Sequence, residues 1–149
     1  MKTKLSLLRF TVSLFVISFI LSSFGPRSGG EPWRPDQLME PADLARLISD
    51  PQAHHPVLLS IWPAAVIKNS IDIGATHEKA NLKRLRIELD KLSRESEVVI
   101  YCGCCPFNHC PNIRPAFNLM NEMKFERHKL LNLPKNIKVD WIDKGYPVD

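Results

Sequence analysis

Between Glu97 and Tyr101 the chain reads Glu-Val-Val-Ile-Tyr, a short apolar run of the kind a strand shows when neighbours cover both its faces. Val57 to Ile61 is a second such run, ending at Trp62-Pro63, and Lys129 to Leu133 is a third. Ala65 to Ile73 is ambiguous between a loop and a further short strand. The intervening segments change period. Leu38, Leu44, Leu47 and Ile48 are spaced as one helical face, with Glu40-Pro41 suited to a first turn and Asp50-Pro51 to a stop. Leu82, Leu85, Leu89 and Leu92 form a second helical stripe, leaving Lys83, Arg84, Arg86 and Lys91 for the solvated side. Phe117, Met120 and Met123 to Phe125 continue a helix beginning near Asn112, because Pro111 and Pro115 fit only before a helix or in its first turn. Asn112 is expected to cap it. Strands alternating with helices predict an α/β fold, a small mostly parallel sheet flanked by helices. Sites in such sheets form at the carboxyl ends of strands. Cys102 falls at such an end.

The first stretch follows another pattern. Lys2, Lys4 and Arg9 precede Phe10 to Phe24, fifteen residues that are apolar apart from Thr11 and four serines. A charged segment followed by an apolar one has the form of an export signal, and a membrane-spanning helix of about 20 apolar residues would have to include Arg9. The expected organisation is a signal peptide, or alternatively a membrane anchor, over 1–25, a linker over 26–35 rich in Gly, Pro, Ser and Arg, and one domain over 36–149, with folded structure expected to start near Trp33. The expected location is the periplasm or outside the cell, with any membrane contact made only through an uncleaved first segment.

Charge then loses most of its meaning. The formal +4 rests on 20 Lys and Arg against 16 acids; three of the bases and none of the acids lie in the first 25 residues, so seventeen face sixteen in the remainder. With no clustered basic face interleaved with aromatics, nucleic acid is not an expected partner.

All four cysteines lie in Cys102-Gly-Cys104-Cys105-Pro-Phe-Asn-His109-Cys110. Bridges so local close only tiny loops and contribute little as a structural framework, so the cluster reads as a chemical site. A strand-to-helix turn offers backbone N–H groups and the positive end of a helix dipole to a thiolate. His109 and Arg114 are placed to add positive charge and lower a cysteine pKa. Gly103 is expected to let the backbone turn tightly after the first thiol.

Val98 to Cys102 followed by a loop and an Arg-bearing helix, the preceding Leu-rich helix, and the closing Trp141...Gly145-Tyr146-Pro147-Val148 together resemble the single-domain rhodanese family, from about Leu38 onward. The resemblance implies a rhodanese-like fold and a sulfurtransferase in which Cys102 carries sulfur as a persulfide. Gly103, Cys104, Cys105, His109, Cys110 and Arg114 would then surround the substrate. A small sulfur donor and a thiol acceptor would be its partners, with no metal or cofactor. The chain departs from the family pattern in lacking Asp-x-Arg after Val57–Ile61 and in placing Arg114 twelve positions after Cys102. None of the four cysteines has the cysteine-x5-arginine spacing that phosphatases use, so phosphatase activity is not expected.

Two other readings of the thiols remain open: a dithiol/disulfide redox pair, and a cysteine-ligated metal-binding module, with or without His109. Elsewhere, His54, His55 and His77 are expected at the surface, with a role as a base the alternative for His77. Trp141 and Tyr146 are expected to pack a core edge. Trp62 suits either the core or an apolar mouth to the site, and Arg114 either an anion or an acidic partner.

Overall fold

The computed structural model describes residues 30–62 and 64–149. The signal or anchor expected over 1–25, and the first part of the expected linker, lie outside them. The body from Glu31 to Asp149 carries strands β1 (Leu38–Met39), β2 (Val57–Ser60), β3 (Ile71–Asp72), β4 (Glu97–Tyr101) and β5 (Arg127–Leu131). Its helices are α1 (Pro41–Ser49), α2 (Lys79–Leu89), α3 (Ile113–Glu122) and α4 (Ile137–Asp140), with short 3-10 turns at Pro35–Gln37, Phe107–His109 and Ile142–Lys144. The strands form one parallel sheet in the order β1-β5-β4-β2-β3. The protein is therefore α/β, with helices flanking a parallel sheet. Among the described residues no helix is long and apolar enough to cross a membrane.

β4 is the central strand, and its continuous apolar run follows from that position. Successive side chains point to opposite faces. Val98 and Ile100 enter one core with Leu85 and Leu89 of α2 and Ile113, Ala116, Phe117 and Met120 of α3. Val99 and Tyr101 enter the other, with Leu44 and Ala45 of α1 and Trp141. The same alternation sends Cys102 to the α2/α3 side, where it is part of the first core. The Tyr101 hydroxyl accepts from Val66 N and Ile67 N at 3.1 and 3.2 Å and lies 2.8 Å from Ser70 Oγ, which ties the segment before β3 to the end of β4.

Several expected boundaries move. Leu38 is not on the helical face but in edge strand β1, opposite Leu130, because α1 opens only at Pro41, whose fixed φ suits a first helical position. Leu92 falls beyond α2. α3 stops at Glu122; Lys124 turns left-handed at φ 61°, and Phe125 N–H bonds back to the Met120 carbonyl, so buried Phe125 covers the helix end from outside it. Asn112 stands at the N-cap of α3 but makes no side-chain cap bond, because its amide is engaged elsewhere. Within the expected linker, Trp33 is buried against Phe117 with the rings edge to face at 5.7 Å, so the packed body begins at least there. Trp141 is fully buried, its Nε1 donates to the Pro147 carbonyl, and Tyr146 packs edge-on against it. Trp62 is half-buried against the first core.

Candidate active site

Cys102 leaves the carboxyl end of β4 with its side chain 1% exposed. Gly103 then passes under α4. A Cβ at Gly103 would lie 2.9 Å from Ile137 Cβ and Cγ2, and the Gly103 carbonyl accepts from Ile137 N at 3.1 Å. The glycine is needed for this close approach and not for a left-handed turn: Gly74 and Gly145 are the positive-φ glycines among the described residues. Clamped there, the chain doubles back through Cys104 and Cys105. The Phe107–His109 turn then carries it to fully buried Cys110 and into α3.

All four thiols are free. Cys102 Sγ is 3.3 Å from Cys104 Sγ, and Cys104 Sγ is 3.0 Å from Cys105 Sγ. The sulfurs of Cys102, Cys104 and Cys110 lie within 4.8 Å of one another, close enough for one soft ion to touch all three. They run from the core to the surface: Cys102 and Cys110 buried, Cys105 half-buried, Cys104 exposed.

Asn112 organises the inner end. It is 1% exposed, and its Nδ2 donates to Cys102 Sγ at 3.4 Å. Its Oδ1 accepts the His77 backbone N–H at 3.1 Å and lies 2.7 Å from His77 Nδ1, while the Thr76 hydroxyl donates to the Asn112 carbonyl at 2.6 Å. Two contacts on the amide oxygen fix which end of the amide faces the sulfur. His77 is exposed, as expected, yet it is one side chain removed from Cys102.

These donors set the ionisation of the cluster. The Cys110 thiol above all, then Asn112 Nδ2 and the backbone N–H and thiol of Cys104, stabilise a Cys102 thiolate against the opposing effect of burial and bring its pKa down to about 6. Donating to that thiolate, and buried itself, Cys110 is pushed well above the usual cysteine range. Cys104 is pushed up to about 12 by partial burial of its sulfur and by the Cys105 and Cys102 sulfurs beside it. The arrangement is one sulfur of lowered pKa, Cys102, beside two thiols of raised pKa, Cys104 and Cys110, an activated nucleophile of the kind that attacks sulfur or acyl centres.

The charged groups expected at the site are not brought to it. Arg114 is exposed; its guanidinium donates to Glu31 at 2.7 Å and to the Asn108 carbonyl at 3.1 Å, and lies 5.7 Å from the centre of the Trp33 ring. His109 is also exposed, at the end of the Phe107–His109 turn. The donors on Cys102 are therefore neutral N–H and S–H groups. Asn112 carries no charge and precedes a helix, a position whose sequence signal is that of a cap. A groove of about 720 Å³ lies at the other end of the strands, lined by Arg46, Glu97, Arg127 and Lys129 among others. It contains no thiol, and its charges are matched, Arg127 donating to Glu97 at 2.8 Å.

Comparison with protein-family models finds no match, and comparison with curated proteins finds none either.

Proposed function

We propose that the protein is an exported, rhodanese-like sulfurtransferase in which Cys102 takes a sulfane sulfur from a small donor, holds it as a persulfide and hands it to a thiol acceptor. The observation that carries this reading is the buried Cys102 sulfur at the carboxyl end of the central parallel strand, held by Asn112 Nδ2 at 3.4 Å. A thiolate stabilised by neutral donors attacks the outer sulfur of thiosulfate without an adjacent fixed cation, and the same donors suit the persulfide anion that results. Sulfite leaves with the electron pair of the sulfur–sulfur bond. The parallel sheet and flanking helices agree with the fold that the resemblance implies. Surface cations play no part in this reading, since Arg114 is committed to Glu31.

The test is a rapid-mixing measurement of sulfite release from thiosulfate. A reduced chain gives a burst of about one sulfite per Cys102, and Cys102→Ser abolishes it. A burst that survives in Cys102→Ser, or a purified chain that holds one equivalent of metal on its thiols and takes up no sulfur, contradicts the reading.

A further inference from the structure

The persulfide reading leaves three thiols without a task, and their positions are unequal. Cys110 is fully buried beneath Cys102, so a bridge between these two would have no sulfur within reach of a partner. The Cys105 sulfur contacts that of Cys104, at 3.0 Å. Cys104 is both in contact with Cys102, at 3.3 Å, and exposed. The loop holds this contact in place, because Gly103 between the two is fastened to Ile137.

Resting on the persulfide reading, we propose that Cys104 resolves the Cys102 persulfide and releases its outer sulfur as hydrosulfide, so that the protein acts as a sulfane-sulfur reductase recharged by an external dithiol. The Cys104 proton passes to the outer sulfur of the persulfide, and the Cys104 thiolate so formed attacks Cys102 Sγ. A bond forms between these two sulfurs, and the bond from Cys102 Sγ to the outer sulfur breaks with its electron pair going outward. The Cys104 proton ends on the departing sulfur: Cys102–S–S⁻ and Cys104–SH become the Cys102–Cys104 disulfide and HS⁻. The two thiols are oxidised by two electrons and the sulfane sulfur is reduced to sulfide. An external dithiol then attacks the bridge, becomes a disulfide itself and returns both cysteines to thiols. Its point of attack is the exposed Cys104 sulfur, which expels Cys102. That direction is chemically favoured, because the sulfur best stabilised as a thiolate is the better leaving group.

The experiment uses the full chain, reduced and then freed of reductant, with thiosulfate as the sulfur donor. Hydrosulfide is measured alongside intact mass and peptide mapping. The natural chain is expected to release about one hydrosulfide and to finish two hydrogens lighter, with Cys102 and Cys104 in one bridged peptide; added dithiothreitol makes release continuous. Cys104→Ser is expected to keep one extra sulfur on Cys102 and to release hydrosulfide at least about tenfold less. The inference is overturned if the natural chain retains the sulfur unbridged just as Cys104→Ser does, or if the bridged peptide of the natural chain joins Cys102 to Cys105 or Cys110 in place of Cys104. Sulfur held by Cys104→Ser leaves the persulfide reading standing in either case. Uptake by neither chain overturns both.

Discussion

Removing the Asn112 amide separates the chemistry of the site from its packing. Asn112→Ala takes away the Nδ2 donor 3.4 Å from Cys102 Sγ and leaves the Cys110 thiol and the Cys104 N–H in place. A hydrogen bond to a charged acceptor contributes about 1.5–3 kcal/mol, and the lower end applies where other donors remain. At about 1.36 kcal/mol per factor of ten, the thiolate-to-thiol ratio falls about tenfold. With the natural pKa at about 6, half of Cys102 is ionised near pH 6. The variant is then about one-tenth ionised, and alkylation of Cys102 by iodoacetamide, followed by peptide mapping, slows about fivefold. Near pH 9 both chains are ionised and the difference disappears. Asn112→Asp keeps an acceptor for His77 but sets a carboxylate against the sulfur, so at pH 6 it is expected to be slower than Asn112→Ala. Superimposable pH profiles for the natural and Ala chains would refute the reasoning. So would an Asp variant that behaves as natural while Ala is impaired, because Asn112 would then serve only the turn at His77.

Other expectations follow from single contacts. Gly103→Ala drives a Cβ to 2.9 Å from Ile137 and is expected to cost about 1–3 kcal/mol in urea unfolding, together with slower sulfur uptake; an unchanged midpoint contradicts the close-approach argument. Arg114→Ala breaks an exposed pair with Glu31 and is expected to change stability by at most about 1 kcal/mol, with the thiosulfate KM unmoved; a several-fold rise in KM would return Arg114 to the substrate. Buried His128, with Nδ1 2.7 Å from the Phe125 carbonyl, has its pKa lowered mainly by burial. The unfolded chain therefore binds this proton more readily, and its contribution to stability is whole above about pH 6.5 and declines as pH falls below it. Urea midpoints for the natural chain and His128→Gln between pH 7 and 5 check the sign: the natural chain should lose more.

The parts of this structure legible in the sequence are those whose signal is local. Val98 to Tyr101 is apolar at every position because β4 is covered on both faces, and counting along that run puts Cys102 at its carboxyl end. Leu38 was misread because a two-residue edge strand has no period of its own; only its pairing with Leu130 defines it. Asn112 was misread for a related reason. An Asn before a helix is ordinarily a cap, but this amide is used by residues 10 and 35 positions away. Arg114 sits in the first turn of α3, a place that suggests anion binding. Its direction was decided by Glu31 and Trp33, from a stretch whose Gly, Pro and Ser content read as a linker. Gly103 was singled out correctly but for the wrong cause, since the clash that excludes a Cβ comes from Ile137, far along the chain.

The central claim is that Cys102 carries the transferred sulfur, and the most direct measurement is the mass of the peptide holding it. The Cys104→Ser chain is treated with thiosulfate, quenched by alkylation and mapped. The account predicts one additional sulfur atom on Cys102, with none gained in the Cys102→Ser, Cys104→Ser double variant. Sulfur found on Cys105 or Cys110 with Cys102 unmodified would contradict it.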